Sequence, residues 1–490
     1  MKVLFLVPPS KFAKNVARDL VYGCWCRGKR IGGVTFPPVS LTLAATVLKN
    51  SGHQVCVLDA MATQTPLTTL KKKIHNFDAV VVLTSTSSIN EDAQILKELK
   101  MANKNLKTIV FGGHPTAMPK ETLSKPGIDI IIRREVELVL RDLINAFEKG
   151  KNWEEIKGIG FKKKGKPVIN DFYPLIENLD DLPIPDRTLL PKNIHYFNPI
   201  VRKVPFTTMF SARGCPGLCV FCASPIFYGH RVRLRSAQSV LAEFEEIKRL
   251  DFKEVFIRDE IFTASKKRVL EICEGMIKKD LKISWICSSR IDSIDREMLK
   301  IMKRAGCHLI RFGVESGSQE ILDNSKKGIR LTQTKKVFRW CRKFGIDTHA
   351  HLMIGMPGDT VGTIKKTIDF AVDLNPSLAT FGICTPFPGT RLFTQVATRF
   401  PEIVDGSAAD LSKLHTSAFY NRVFTEVSEE ELGRLLRLAY RKFYLKPSLW
   451  LKWLTSIKSI GELRRATLAA AQVFDFAFRG DDKKSAERED

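Results

Sequence analysis

Arg213-Gly214-Cys215-Pro216-Gly217-Leu218-Cys219-Val220-Phe221-Cys222 sets three thiols four and then three residues apart, in a loop whose glycines and proline let the backbone wrap. Thiols at that spacing reach three corners of one iron–sulfur cubane and leave its fourth iron without a protein ligand. Two other meanings stand beside this one. A structural zinc site wants a fourth Cys or His close by, and the nearest candidate is His230, inside the basic stretch Gly229-His230-Arg231-Val232-Arg233. Three buried cysteines acting as small hydrophobes are the other.

Around the loop, from Thr207 to about Thr385, strand-like and helical stretches alternate. Val255-Phe256-Ile257-Arg258, Ile283-Ser284-Trp285-Ile286-Cys287, Leu309-Ile310-Arg311-Phe312-Gly313-Val314 and Ala350-His351-Leu352-Met353-Ile354-Gly355 read as strands. Repeated units of this kind predict a parallel sheet, and about six of them a partial barrel. His349 and His351 alternate on one strand, as lining of the barrel interior or as structural histidines.

Upstream, Val3-Leu4-Phe5-Leu6-Val7, Gln54-Val55-Cys56-Val57-Leu58-Asp59, Ala79-Val80-Val81-Val82-Leu83, Thr108-Ile109-Val110-Phe111 and Ile128-Asp129-Ile130-Ile131-Ile132 are apolar on both faces and separated by helical stretches. That pattern predicts a parallel sheet covered on both sides, a doubly wound α/β domain. Ligands of such sheets sit beyond the carboxyl ends of the strands. Ser10, Thr84, Ser85, Gly112, Gly113 and His114 therefore line one expected crevice. The first strand runs into Pro8-Pro9-Ser10 rather than GxGxxG, which removes the phosphate-cradling turn of a dinucleotide site.

The expected boundaries are a doubly wound domain at 1–150, a linker at 151–195, a barrel domain at 196–395 and a helical region at 396–490. Lys162-Lys163-Lys164-Gly165-Lys166 looks like a hairpin tip, and Asp180-Asp181-Leu182-Pro183-Ile184-Pro185-Asp186 like a proline-stiffened connector. With 490 residues the chain is too long for one core, and 44% hydrophobic and 27% charged residues exclude disordered and fibrous classes for its bulk. No apolar run approaches the ~18–20 residues of a membrane-spanning helix, and Met1 to Ser10 is too short for a signal peptide core. A cytoplasmic protein is expected, with its eleven cysteines reduced, metal-bound or buried. Lys and Arg exceed Asp and Glu by 25, a surplus that fits a polyanion, a membrane surface, anionic small molecules or a merely solvated basic surface. Cys56, Cys273, Cys287 and Cys341 read as small buried hydrophobes, whereas Cys24-Trp25-Cys26 is open between metal binding, substrate proximity and no role.

The cysteine loop, with an aromatic before its third Cys, resembles the signature of the radical S-adenosylmethionine (SAM) superfamily. That resemblance implies a 4Fe-4S cluster on Cys215, Cys219 and Cys222, with SAM on the open iron and Phe221 beside it. Cleavage of the sulfonium would yield methionine and a 5′-deoxyadenosyl radical that abstracts hydrogen from a substrate. It also implies Asp259 or Glu260 at the SAM amino group, Arg290 as a clamp on its carboxylate and Glu315 at the ribose. Gly355-Met356-Pro357-Gly358 and Pro386-Phe387-Pro388-Gly389-Thr390 would shape the adenine side. An electron donor of flavodoxin or ferredoxin type is implied as well.

A doubly wound domain ahead of such a barrel resembles the cobalamin-binding, class B type of the superfamily, which includes the anaerobic tetrapyrrole cyclase and hopanoid-methylating enzymes. Phe36-Pro37-Pro38, Gly52-His53-Gln54-Val55, Gly112-Gly113-His114-Pro115 and Leu182-Pro183-Ile184-Pro185-Asp186 carry that likeness in order. It implies cobalamin in the first crevice. No DxHxxG loop occurs before Gly150, so no protein histidine is expected on cobalt. Arg134-Glu135-Val136-Glu137 stands where relatives often show Gly-Glu-Gly-Glu. The implied function is methyl transfer to an unactivated carbon of an organic, hydrophobic substrate, with a non-methylating oxidative cyclase or ring-forming enzyme on a tetrapyrrole or lipid as the alternative. A cobalamin-binding regulator without turnover is opposed by the intact cysteines. No nucleic acid is expected.

From Arg441 to Arg465, basic residues interleave with Phe443, Tyr444, Trp450 and Trp453. Such a stretch either lies on an anionic membrane, as a peripheral contact, or packs on the barrel with its lysines in solvent.

Overall fold

The computed structural model describes residues 1–10, 35–191, 194, 196–403, 423–447, 449–450 and 460–479. Cys24, Cys26 and Trp453 lie outside the described residues. Two large sheets organise the chain. The first runs β2-β1-β3-β4-β5-β6-β7, built from β1 (Lys2–Val7), β2 (Gln54–Asp59), β3 (Ala79–Leu83), β4 (Lys107–Phe111), β5 (Ile130–Ile132), β6 (Ile159–Lys163) and β7 (Lys166–Ile169). The first five strands are parallel. One face, with Val3, Phe5, Val81 and Ile109, packs on helices 39–50 and 137–148; the other, with Leu4, Leu6, Val80 and Val82, packs on helices 67–73 and 89–102. Each strand alternates its apolar residues between two cores, which is why no polar face interrupts the runs.

Residues 159–169, expected inside the linker, instead extend this sheet as an antiparallel hairpin. Ile159 and Phe161 are buried against β5, and only the lysine-bearing tip is polar. Apolar residues at the strand roots outweigh the irregular composition of the stretch. Cys56 is also corrected: it sits on the edge strand β2, which has a neighbouring strand on one side only, and is exposed. Cys273, Cys287 and Cys341 are buried.

The second sheet has six strands in sequence order, β8 (Phe206–Met209), β11 (Glu254–Ile257), β12 (Ser284–Ser289), β13 (Cys307–Glu315), β14 (Asp347–Ile354) and β15 (Leu378–Ile383), all parallel and connected by helices. This is an open, partial barrel. Between β8 and β11 lies a two-residue antiparallel pair, β9 (Ala212–Arg213) with β10 (Arg233–Leu234), that holds the cysteine loop between its arms. The connector docks onto the barrel through Arg187, which donates to Glu243 at 2.5 Å and to the Thr208 carbonyl at 2.9 Å.

Helices 429–444 and 460–479 follow. The first covers the outer edge of β15. Tyr440 Oη donates to the Phe381 carbonyl and Tyr444 Oη to the Ala379 carbonyl, at 3.1 and 2.6 Å, and both hydroxyls accept from the amides of the same residues. Two side chains thus take the hydrogen bonds of an otherwise open strand edge. Trp450 donates to the Tyr444 carbonyl at 2.8 Å and packs on Phe474, so its ring is used in packing. No described helix is long and apolar enough to cross a membrane.

Candidate functional site

The cysteine loop starts where β9 ends. Gly214, at φ +94°, turns the chain beneath the Arg231 carbonyl, 2.2 Å from where a Cβ would stand, so any side chain there would displace the loop. Gly217 is bare for a different reason: a Cβ would come within 3.2 Å of Cys215 Sγ and 3.7 Å of Cys219 Sγ. The two thiols therefore share the space above one glycine. Cys222 is close enough for their charges to act on it, and burial together with them pushes its thiol up to about 12. Among the described residues no three His, Cys, Asp or Glu side chains close on one point as ligands of a single ion do. A cubane distributes its thiolates over three irons, and an all-sulfur donor set in a glycine-opened loop suits it. Phe221 is partly buried against the cluster of Val220, Ile321, Met356, Cys384 and Leu392, which closes the loop's apolar side.

The acidic residues after β11 separate cleanly. Asp259 is buried, accepting from Ser211 N at 2.6 Å, Ser211 Oγ at 2.5 Å and Ala212 N at 3.0 Å; burial pushes its carboxyl up despite the nearby Arg268 charge. Its oxygens are committed to the β8–β9 turn. Glu260, the other alternative, is half-buried and accepts from Gly214 N at 3.3 Å, so its carboxylate faces the cysteine loop. Arg290, after β12, is held in a fork by Asp292 at 2.9 and 2.7 Å and donates to the Lys327 carbonyl at 2.9 Å. Its Nη1 lies 4.0 Å from Cys219 Sγ.

Glu315 ends β13 at φ +64°, after a register shift between Gly313 and Glu315. That backbone is strained for a side-chain-bearing residue. It brings the carboxylate to Lys327 Nζ at 2.8 Å, and both groups occupy the volume a Cβ on Gly313 would need, at 2.2 and 2.7 Å. Lys327 was not among the residues expected from the sequence. It is buried, and although burial lowers its ammonium, the Glu315 and Cys219 charges outweigh that and raise it. The ends of β11, β12 and β13 thus converge on one loop.

The first sheet reverses strand order between β1 and β3, and its crevice lies at their carboxyl ends. Ser10 bonds Glu91, and Ser85 pairs with Ser88 at 3.0 Å. Gly112, at φ +132°, lies against the Thr84 carbonyl, 2.2 Å from its missing Cβ, with Gly113 half-buried behind it. Two expected lining residues turn inward instead. Thr84 Oγ1 is buried on Asp92 at 2.8 Å. His114 is buried with both ring nitrogens engaged, by Thr86 at 3.1 Å and Glu121 at 2.7 Å. Among the described residues this rim is built from small side chains, which leaves room for a large planar group beside the strand ends.

A buried ionic network joins the two sheets beside the loop. Arg213 donates to Glu135 at 2.8 Å and to Glu137 at 2.5 Å, and Arg233 donates to Glu135 at 2.8 Å. Arg213 immediately precedes Gly214, while Glu135 and Glu137 follow β5, so this contact fixes the first domain against the cysteine loop.

A family model described as the radical SAM superfamily matches residues 209–371, and one described as a B12 binding domain matches residues 32–144. An uncharacterized methyltransferase of Pyrococcus horikoshii is 33% identical over 457 residues, covering 92% of this chain and 94% of the relative. The anaerobic magnesium-protoporphyrin IX monomethyl ester cyclase of Rubrivivax gelatinosus is 30% identical over 383 residues, 76% of this chain and 68% of the relative. In fold, the chain is similar to the radical SAM methyltransferase TsrM of Kitasatospora setae, solved with cobalamin and a [4Fe-4S] cluster, at TM-score 0.72 and 17% identity over 96% of this chain and 99% of that one.

Proposed function

Because the chain belongs to the radical SAM superfamily, in the group that carries a B12 binding domain, we propose that it is a cobalamin-dependent methyltransferase acting on an unactivated carbon of an organic substrate. The observation that carries this reading is the convergence of Glu260, Arg290 and the Glu315–Lys327 pair on the loop of Cys215, Cys219 and Cys222. The three thiolates hold the 4Fe-4S cluster. When bound, cluster and SAM supply a 5′-deoxyadenosyl radical for hydrogen abstraction, and cobalamin supplies a methyl group.

Glu260 receives the SAM ammonium and Arg290 its carboxylate, with Asp292 and the Lys327 carbonyl fixing the guanidinium plane before SAM arrives. Glu315 meets the ribose hydroxyls, its charge balanced by Lys327. Phe221 and its apolar neighbours keep water from the loop. Ser10, Ser85, Gly112 and Gly113 form the rim for cobalamin, with Thr84 and His114 supporting it from behind. The domains run 1–150 and 196–395, with the hairpin of the intervening segment belonging to the first sheet. Reduction comes from a flavodoxin- or ferredoxin-type donor in the cytoplasm.

A cyclase reading is kept by the likeness to the Rubrivivax enzyme. Anaerobically reconstituted protein given SAM with a deuterated methyl group and a metabolite extract separates the two. A product carrying the labelled methyl supports methyl transfer, and an unlabelled oxidised product alongside 5′-deoxyadenosine supports ring formation.

A further inference from the structure

Beside the cysteine loop one buried hydroxyl bonds nothing. Ser224 lies two residues after Cys222, at the start of the helical turn Ser224–Tyr228, and is fully buried. Its Oγ, the single polar atom of the side chain, has no hydrogen-bond partner. Taking a hydroxyl out of water without a partner costs free energy, and a folded chain that keeps one calls for a group bound from outside the polypeptide.

The turn itself fixes the direction of that hydroxyl. Residues four apart on a helical turn share a side, so Ser224 and Tyr228 look the same way and Ile226, between them, looks away. A Cβ added to Gly389 would meet Ile226 Cγ2 at 3.0 Å and Ala117 Cβ at 3.3 Å, which turns Ile226 toward the first domain. Tyr228 is turned toward the cysteine loop. The guanidinium of Arg213, the residue before Gly214, lies 5.5 Å from its ring centroid. Burial raises the Tyr228 hydroxyl well above its ordinary value, with the Arg213 charge opposing and the Glu260 charge adding to the rise. Ser224 therefore faces the thiols.

Donors already stand at the other two corners. Cys215 Sγ accepts from the Gly217 amide at 3.4 Å, and Arg290 Nη1 lies 4.0 Å from Cys219 Sγ. At Cys222 the neighbour is Ser224 itself, whose amide draws the thiol down against the larger rise that burial causes.

We propose that Ser224 Oγ donates a hydrogen bond to a sulfur at the Cys222 corner of the 4Fe-4S cluster and thereby holds the reduction potential of that cluster up. The assignment rests on the proposed radical chemistry, which gives the loop its cluster. A hydrogen bond to sulfur strengthens as an electron makes the sulfurs more negative, so a donor at this corner favours the reduced form. Ser224 does this without charge, whereas Lys327 and Arg290 act on the thiols as cations.

The test compares the full chain with Ser224→Ala, both reconstituted with iron and sulfide and measured without SAM. Because the hydroxyl bonds nothing within the chain, the variant should unfold at the wild-type urea concentration or above it before reconstitution, and bind the same iron afterwards. Redox titration followed by electron paramagnetic resonance should give the variant a lower midpoint, by at least about 28 mV, a threefold change in the reduced-to-oxidised ratio for one electron. Electron–nuclear double resonance of the reduced wild type in D2O should show an exchangeable deuteron coupled to the cluster that the variant lacks. A smaller shift, or the same deuteron couplings in both proteins, overturns the proposal. So does a loss of stability before reconstitution, which would reveal a partner within the chain, or a loss of iron, which would make the hydroxyl part of cluster assembly. Iron content and SAM cleavage of the wild type read the underlying assignment separately. A wild type that binds no cluster overturns both; one that binds cluster and cleaves SAM while the variant keeps its midpoint overturns the Ser224 assignment alone.

Discussion

Glu135→Gln should loosen the first domain from the barrel. The carboxylate is buried and accepts at 2.8 Å from each of three donors: Arg213 Nη1, Arg233 Nη1 and the Ile176 amide. A Gln offers one oxygen in place of two and turns an NH2 toward a donor. Arg213 keeps Glu137, but Arg233 loses its only described carboxylate partner. Breaking a buried pair from one side costs ~3–5 kcal/mol, against under ~1 for a surface pair. Burial raises the Glu135 carboxyl, but the Arg213 and Arg233 charges outweigh it and hold it below the ordinary range. A lowered folded value means that its stabilisation is present above the unfolded value of ~4.3 and is lost as pH falls through the folded one. Urea unfolding, followed by both tryptophan fluorescence and far-UV dichroism, should show a loss of about 3 kcal/mol or more at pH 7 that shrinks below about pH 4. A double-mutant cycle with Arg233→Gln should give a coupling of at least about 1 kcal/mol. A loss below about 1 kcal/mol, or strict additivity, refutes the reasoning.

Cys219→Ala should abolish both the brown chromophore and SAM cleavage; iron retained at about three to four per chain would contradict the ligand assignment. Asp259→Asn and Glu260→Gln should separate: the first costs ~1–3 kcal/mol because an amide NH2 opposes the Ser211 and Ala212 donors, while the second leaves the urea midpoint in place and raises the KM for SAM by about tenfold. Replacing Tyr440 and Tyr444 together by Phe should cost ~2–4 kcal/mol and speed amide exchange along β15, read by mass spectrometry.

The cysteine loop stood out because its three thiols lie within eight residues of one another, and the strands because both of their faces are apolar. What escaped was set by contacts distant in sequence. Asp259 and Glu260 are neighbours, and only the fold reveals that one is committed to the β8–β9 turn while the other faces the loop. Lys327 belongs to the site through the bulge that brings Glu315 to it, and a basic pair before a glycine carries no periodic signal. His114 follows a strand end as a crevice residue should, yet Thr86 and Glu121 draw it inside. The tip of the hairpin at 162–166 was legible, but its membership of the first sheet was not, because the polar tip outweighs the short apolar roots. Tyr440 and Tyr444 gave a helical pattern but no hint that their hydroxyls complete a strand edge.

The central claim, that SAM supplies the radical and cobalamin the methyl group, with a second SAM restoring the methyl group to cobalamin, is tested most directly by counting products. Anaerobic holoenzyme turning over its substrate should form 5′-deoxyadenosine, S-adenosylhomocysteine and methylated product in equal amounts, and the account predicts that ratio across the time course. Product accompanied by 5′-deoxyadenosine without S-adenosylhomocysteine would contradict it.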